Sequence, residues 1–140
     1  MKKVILLFTF LILSGCASSQ IPTVKINNHT FEVKVAQTQE EYFKGLSGYE
    51  SLDKTLGMLF IFDDYKIRHF VMRDMNFPLD IVWIKDDQVI DCEQNVQIYD
   101  ENIDISSVNS LEAINYVLEV NAGICEEYMI NKNNKVDIKI

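Results

Sequence analysis

The chain has 140 residues, 48% of them hydrophobic and 24% charged, which suits one globular domain and excludes both a disordered chain and two full domains. Its formal net charge is −8, and nucleic-acid binding needs the opposite, clustered Lys and Arg. The same sign opposes electrostatic adsorption to anionic lipid, so any membrane attachment has to come from elsewhere.

The chain opens with Lys2 and Lys3, followed by ten apolar or hydroxyl residues over 4–13. As a helix, ten residues span about 15 Å. That is half of a hydrocarbon core about 30 Å thick, so the segment reads as a signal peptide and not as a spanning helix. It has no polar face, which rules out a buried amphipathic helix. Leu13, Ser14, Gly15 and Cys16 follow directly and resemble the lipobox of bacterial lipoproteins. The resemblance implies an acylated Cys16 thiol and cleavage just before it. Residues 1–15 would be the signal peptide, and loss of Lys2 and Lys3 would take the charge of the mature chain from −8 to −10. Buried acyl chains, at about 0.8 kcal/mol per CH₂, would then anchor the protein to a membrane. Ala17 stands where an aspartate often retains such lipoproteins in the inner membrane. The expected location is therefore extracytoplasmic, on the periplasmic face of the outer membrane if the source is Gram-negative. Residues 16–22 form a short polar tether, and the domain is expected over 23–140.

Residues 23–26 and 30–35 read as a hairpin around Asn27 and Asn28, because Asn tolerates positive φ. Alternation in both strands predicts one wet face. Thr38 and Glu41 make a capping box that opens a helix, and Gly45 and Gly48 end it. Its stripe of Tyr42, Phe43 and Leu46 reads as core packing. The stretch over 57–84 holds the only tryptophan. It divides into apolar runs at 57–62, 68–72 and 79–84, with polar breaks at 63–66 and 73–78. Runs this short suit strands. In Met58-Leu59-Phe60-Ile61-Phe62 both alternating faces are apolar, so that strand needs cover on both sides and should sit mid-sandwich.

A turn at 85–88 leads to a strand over 89–95. Residues 96–110 are polar and acidic without periodicity. They read as a long surface loop, either a functional lid or a disordered insertion. A strand follows at 116–120. Asn121 caps a helix over 122–130, with Ile124, Cys125, Tyr128 and Met129 facing inward. Val136, Ile138 and Ile140 alternate with charged residues in a closing strand. The fold class is mostly β: a compact β-sandwich or barrel of about eight short strands with two short helices.

With these residues in order, the chain resembles the DUF192 (UPF0127) domain family. The likeness runs from Val24 to the C-terminus. It rests on Gly45-Leu46, Gly57-Met58-Leu59-Phe60, Phe70-x-Met72, Pro78-Leu79-Asp80 and Val117-Leu118-Glu119-Val120. The resemblance implies a compact, mostly β sandwich or barrel and brings no activity, substrate or cofactor with it. The chain departs from the pattern at Val71, where the family has tryptophan, and at Ser47, where Gly45-Leu46 would be followed by methionine. Asn133 and Asn134 replace a Gly-Asp pair.

Asp80 is the first candidate site residue. It shares a strand face with Val82 and Ile84, and a half-buried carboxylate needs a partner. Arg73, across the 76–78 turn, is the expected one and Arg68 the second. The pair either fixes the turn or binds a ligand. Glu119 falls on the Val117 face of its strand. It reads either as a solvated outer-face residue or as the second acid of a catalytic pair with Asp80, as in glycoside hydrolysis. His29 and His69 are the only histidines. Without clustered ligands at coordinating spacing, neither a metal nor another cofactor is expected. Cys92 and Cys125 both occupy apolar positions. Two small buried hydrophobes are the simpler reading, and a disulfide is the alternative.

Three functions follow. The first is an envelope module that holds a small molecule or partner protein near Phe70, Met72, Arg73 and Asp80. The second is an envelope glycan hydrolase using Asp80 and Glu119. The third is a structural or assembly lipoprotein. A close carboxylate pair facing a cleft would favour the hydrolase. A pocket of aromatics and Met around a single charge would favour binding.

Overall fold

The computed structural model describes residues 20–98 and 107–140. The expected signal peptide, Cys16, part of the tether and the middle of the 96–110 loop lie outside the described residues. No helix among the described residues is long and apolar enough to cross a membrane.

The described residues form nine strands and two short helices. They run β1 (Thr23–Ile26), β2 (His29–Ala36), α1 (Gln39–Lys44), β3 (Leu56–Lys66), β4 (His69–Val71), β5 (Leu79–Lys85), β6 (Gln88–Val96), β7 (Ser107–Asn109), β8 (Ile114–Asn121), α2 (Ile124–Glu127) and β9 (Val136–Lys139). Seven strands make one sheet in the order β6-β5-β8-β3-β2-β1-β9. All its pairs are antiparallel except β2 with β3. Strands β4 and β7 form a separate two-stranded ribbon.

Strand β3 lies fourth of seven, as its two apolar faces require. The sheet curls until its edges touch. Gln88 bridges Lys135, and the Val89 and Val136 amides donate to the Asn134 and Asp87 carbonyls at 3.0 and 2.8 Å. Val89 and Val136, from the two edges, share one core with Phe31, Leu59, Val82, Leu118 and Val120. That core is therefore the inside of the curl. The opposite face carries Met58, Phe60, Leu79, Ile81, Trp83 and Val117, covered by Leu46 and Met72. The β3, β5 and β8 strands are thus buried on both faces, and their near-continuous apolar sequences follow from that.

Local signals behave as their chemistry requires. Asn27 turns the first hairpin at φ 54°. Thr38 and Glu41 make the reciprocal capping box of α1. Several expectations need correction. Strand β3 runs through the 63–66 break, which is a solvent-facing extension past a register shift at Ile61/Lys66. The second helix is a single turn, because Gly123 opens it at φ 89° and Met129 leaves it at φ 52°. Met129 is exposed and not inward. The 96–110 stretch contains β7, paired with β4. Cys92 of β6 and Cys125 of α2 form a disulfide and are not two separate hydrophobes.

Candidate functional site

The outer core is not fully covered. An open cleft of about 1210 Å³ lies over Phe60, between α1 with the 45–48 turn on one side and the end of β3 with β4 on the other. The 45–48 turn is tied to the segment after β4. The Ser47 hydroxyl donates to the Arg73 carbonyl at 3.0 Å, and the Gly48 amide donates to the Asp74 carbonyl at 3.0 Å.

Gly45 brings the turn close to the floor. Its backbone, φ 47° and ψ −134°, is a conformation only glycine adopts readily. A Cβ there would stand 3.4 Å from the Phe60 ring and 3.9 Å from Glu119 Oε2. The floor is aromatic. Phe70 meets Phe60 and Trp83 edge-on, with centroids 4.9 and 5.5 Å apart, and Tyr42 packs on Phe62 at 4.8 Å. Met72 is buried and lines the cleft as well. The rim is partly apolar as well: Phe43 is 79% exposed, Ile67 65% and Val71 39%. Phe43 is thus a rim residue, correcting its expected place in the core. The helix is six residues long, and it turns Phe43 outward while Tyr42 and Leu46 face the sheet.

Charges on the rim are mixed. The Arg68 guanidinium lies 3.8 Å over the Phe62 ring and donates to the Asp64 carbonyl at 2.7 Å and to its carboxylate. Hydrogen bonds from Lys66 and then Arg68 hold the Asp64 carboxyl below its ordinary range. Arg73 leans on Phe43 at 5.7 Å. His69 pairs with Asn109 at 2.8 Å, away from any second histidine, and His29 stacks on Tyr128 at 3.7 Å.

Glu119 is the unexpected member. It lines the cleft floor from β8, yet it is only 6% exposed, and its Oε2 has no hydrogen-bond partner among the described residues. Burial alone pushes its pKa up to about 8. At neutral pH it is mostly an uncharged carboxylic acid. The solvated reading of Glu119 is therefore corrected: the Val117 face is the outer face of the sheet, but the 45–48 turn lies over it.

Asp80 is elsewhere. Register pairs Asp80 with Val120 and Ile81 with Glu119, so the two acids project from opposite faces of the sheet. They cannot act as a catalytic pair on one glycosidic bond. Nor does Asp80 pair with Arg73 or Arg68. It is fully buried inside the curl, where Oδ1 accepts the Asn95 amide at 2.8 Å and Oδ2 the Cys125 amide at 2.7 Å. Arg73 is on the surface. Of the expected ligand set, the structure brings Phe70, Met72 and Arg73 to one cleft and leaves Asp80 out.

Among the described residues, Asp80, Cys92 and Cys125 present ligand atoms within 4.8 Å of one another. The disulfide occupies both sulfurs, so the group is a structural knot and not an available coordination site.

Two solved structures share this fold. A protein of unknown function from Novosphingobium aromaticivorans DSM 12444 is 28% identical, with a TM-score of 0.76 over 82% of this chain and 83% of that one. A protein from Sinorhizobium meliloti 1021, whose description proposes a transcription regulator, is 24% identical, with a TM-score of 0.77 over 89% and 98%. No functionally curated protein matches the chain. The profile of the family described as "Uncharacterized ACR, COG1430" matches residues 22–138, and the chain belongs to that family, DUF192.

Proposed function

We propose that this is a lipid-anchored, extracytoplasmic protein of the cell envelope that binds a small ligand in the outer-face cleft. One observation carries the binding reading: a buried carboxyl, whose Oε2 has no partner among the described residues, lies at the floor of an open cleft with aromatic and Met side chains in its lining. An open cleft with an aromatic floor and converging polar groups is a common form of small-molecule site. The signal-like segment and Cys16 support the anchor. The hydrolase reading loses its acid pair. A role on DNA, taken from the description of the Sinorhizobium protein, has a net charge of −8 against it. A purely structural lipoprotein would have no need of such a cleft.

The test is extraction of the full protein from membranes followed by native mass spectrometry. Val71, at the rim, is replaced by Arg to obstruct the cleft without touching the core. The expected result is a bound small molecule with the wild type, lost in Val71→Arg at an unchanged melting temperature. Equal retention in Val71→Arg would place the ligand elsewhere. Cys16→Ser should leave the protein uncleaved or release it from the membrane. Equal membrane retention of a cleaved Cys16→Ser protein after a high-salt wash would remove the anchor from the account.

A further inference from the structure

Three buried side-chain polar atoms among the described residues lack a partner: Arg68 Nε, Trp83 Nε1 and Glu119 Oε2. Two of the three belong to residues that line the cleft. Buried polar groups are normally satisfied, so each such atom asks for an explanation. Arg68 Nε carries a hydrogen and can only donate. A neutral Glu119 carboxyl offers an O–H. The lining therefore holds two donor groups beside an aromatic floor that have no acceptor among the described residues.

The surroundings oppose a cationic ligand. Strands β3 and β5 face Glu119 with Met58, Phe60, Ile81 and Trp83, none of which titrates. Gly45 covers it from the α1 side. The other charged and titratable groups around the cleft are Tyr42, Lys44, Asp63, Asp64, Lys66, Arg68, His69, Arg73 and Asp74, and none contributes to the shift of Glu119. Asp64 is already engaged by Lys66 and Arg68. A cation would meet Arg68 on the aromatic face it would need.

We propose that the ligand of this cleft is an organic molecule with an apolar body and a carbonyl or carboxylate group, whose oxygens accept the Glu119 O–H and the Arg68 Nε–H. The proposal rests on the cleft being the ligand site and names the chemistry that would fill it. Glu119 then acts as a donor only while protonated, so binding is coupled to its ionisation.

Three probes with one hydrocarbon body test this: hydrocinnamate, benzylacetone and phenylpropylamine. Binding is followed by the Met72 methyl and Phe70 ring resonances of the full folded domain. Hydrocinnamate and benzylacetone should bind more tightly than the amine. Their affinity should fall roughly thirtyfold from about pH 6.5 to about pH 9.5, as the protonated fraction of Glu119 shrinks. Glu119→Gln keeps a donor at every pH, so it should retain binding and lose the pH dependence. Tighter binding of the amine, or affinity that rises through pH 8, would overturn the acceptor proposal and leave the cleft as the ligand site. An unchanged pH dependence in Glu119→Gln would do the same. If no probe moved Met72 or Phe70 at saturation, the cleft itself would be overturned as the site.

Discussion

Glu119→Gln should make the protein more stable above pH 8, by something on the order of 4 kcal/mol. In the unfolded chain this carboxyl ionises near 4.5, and in the folded one burial pushes it up to about 8. The folded state therefore holds a proton that the unfolded state has released. Stability from the neutral acid is complete below about pH 4.5, declines as pH rises, and is gone above about pH 8. Glutamine does not titrate and carries no such loss. Total stability of a domain this size is about 5–15 kcal/mol, so the effect is large. Urea unfolding of both proteins at pH 5 and pH 9 reads it directly. The difference between them should grow in favour of glutamine as pH rises. Parallel behaviour at the two pH values would mean that Glu119 is not held neutral.

Asp80→Asn should cost about 2–4 kcal/mol, although it changes one atom. Each Asp80 oxygen accepts a backbone amide, one from Asn95 in β6 and one from Cys125 at the start of α2. An asparagine has one oxygen and one NH₂. The NH₂ would face an N–H donor inside the core, leaving both without an acceptor. Arg73→Met should stay within about 0.5 kcal/mol, because Arg73 is a surface residue with no carboxylate partner among the described residues. Denaturant midpoints of the two single mutants separate the roles. A loss shared by both, with strong coupling in the double mutant, would restore the Asp80–Arg73 pair.

Much of the fold was legible because it depends on pattern. The two-faced apolar run at 58–62 required a central strand, and β3 is one. Thr38 and Glu41 announced α1 through chemistry that lies within four residues. The sites were less legible, for two physical reasons. Alternation assigns a residue to a face but not to a depth. Alternation puts Glu119 on the Val117 face, yet its burial depends on a glycine turn 74 positions earlier lying over it. Backbone donors also leave no trace in side-chain sequence. Asp80 needed a partner, and a nearby cation was the visible choice. The actual partners are amides 15 and 45 residues away. The disulfide depends on the curl that brings β6 beside α2, which spacing along the chain does not encode.

One uncharged carboxyl at the floor of an aromatic cleft underlies both the proposed ligand site and its chemistry. Carbon-detected NMR of the Glu119 side chain, titrated in the folded protein, observes it most directly. The expected midpoint is about 8, well above the ordinary glutamate value of 4.5. A midpoint at the ordinary value would mean a solvated, charged glutamate, and would contradict both the buried donor and the ligand chemistry drawn from it.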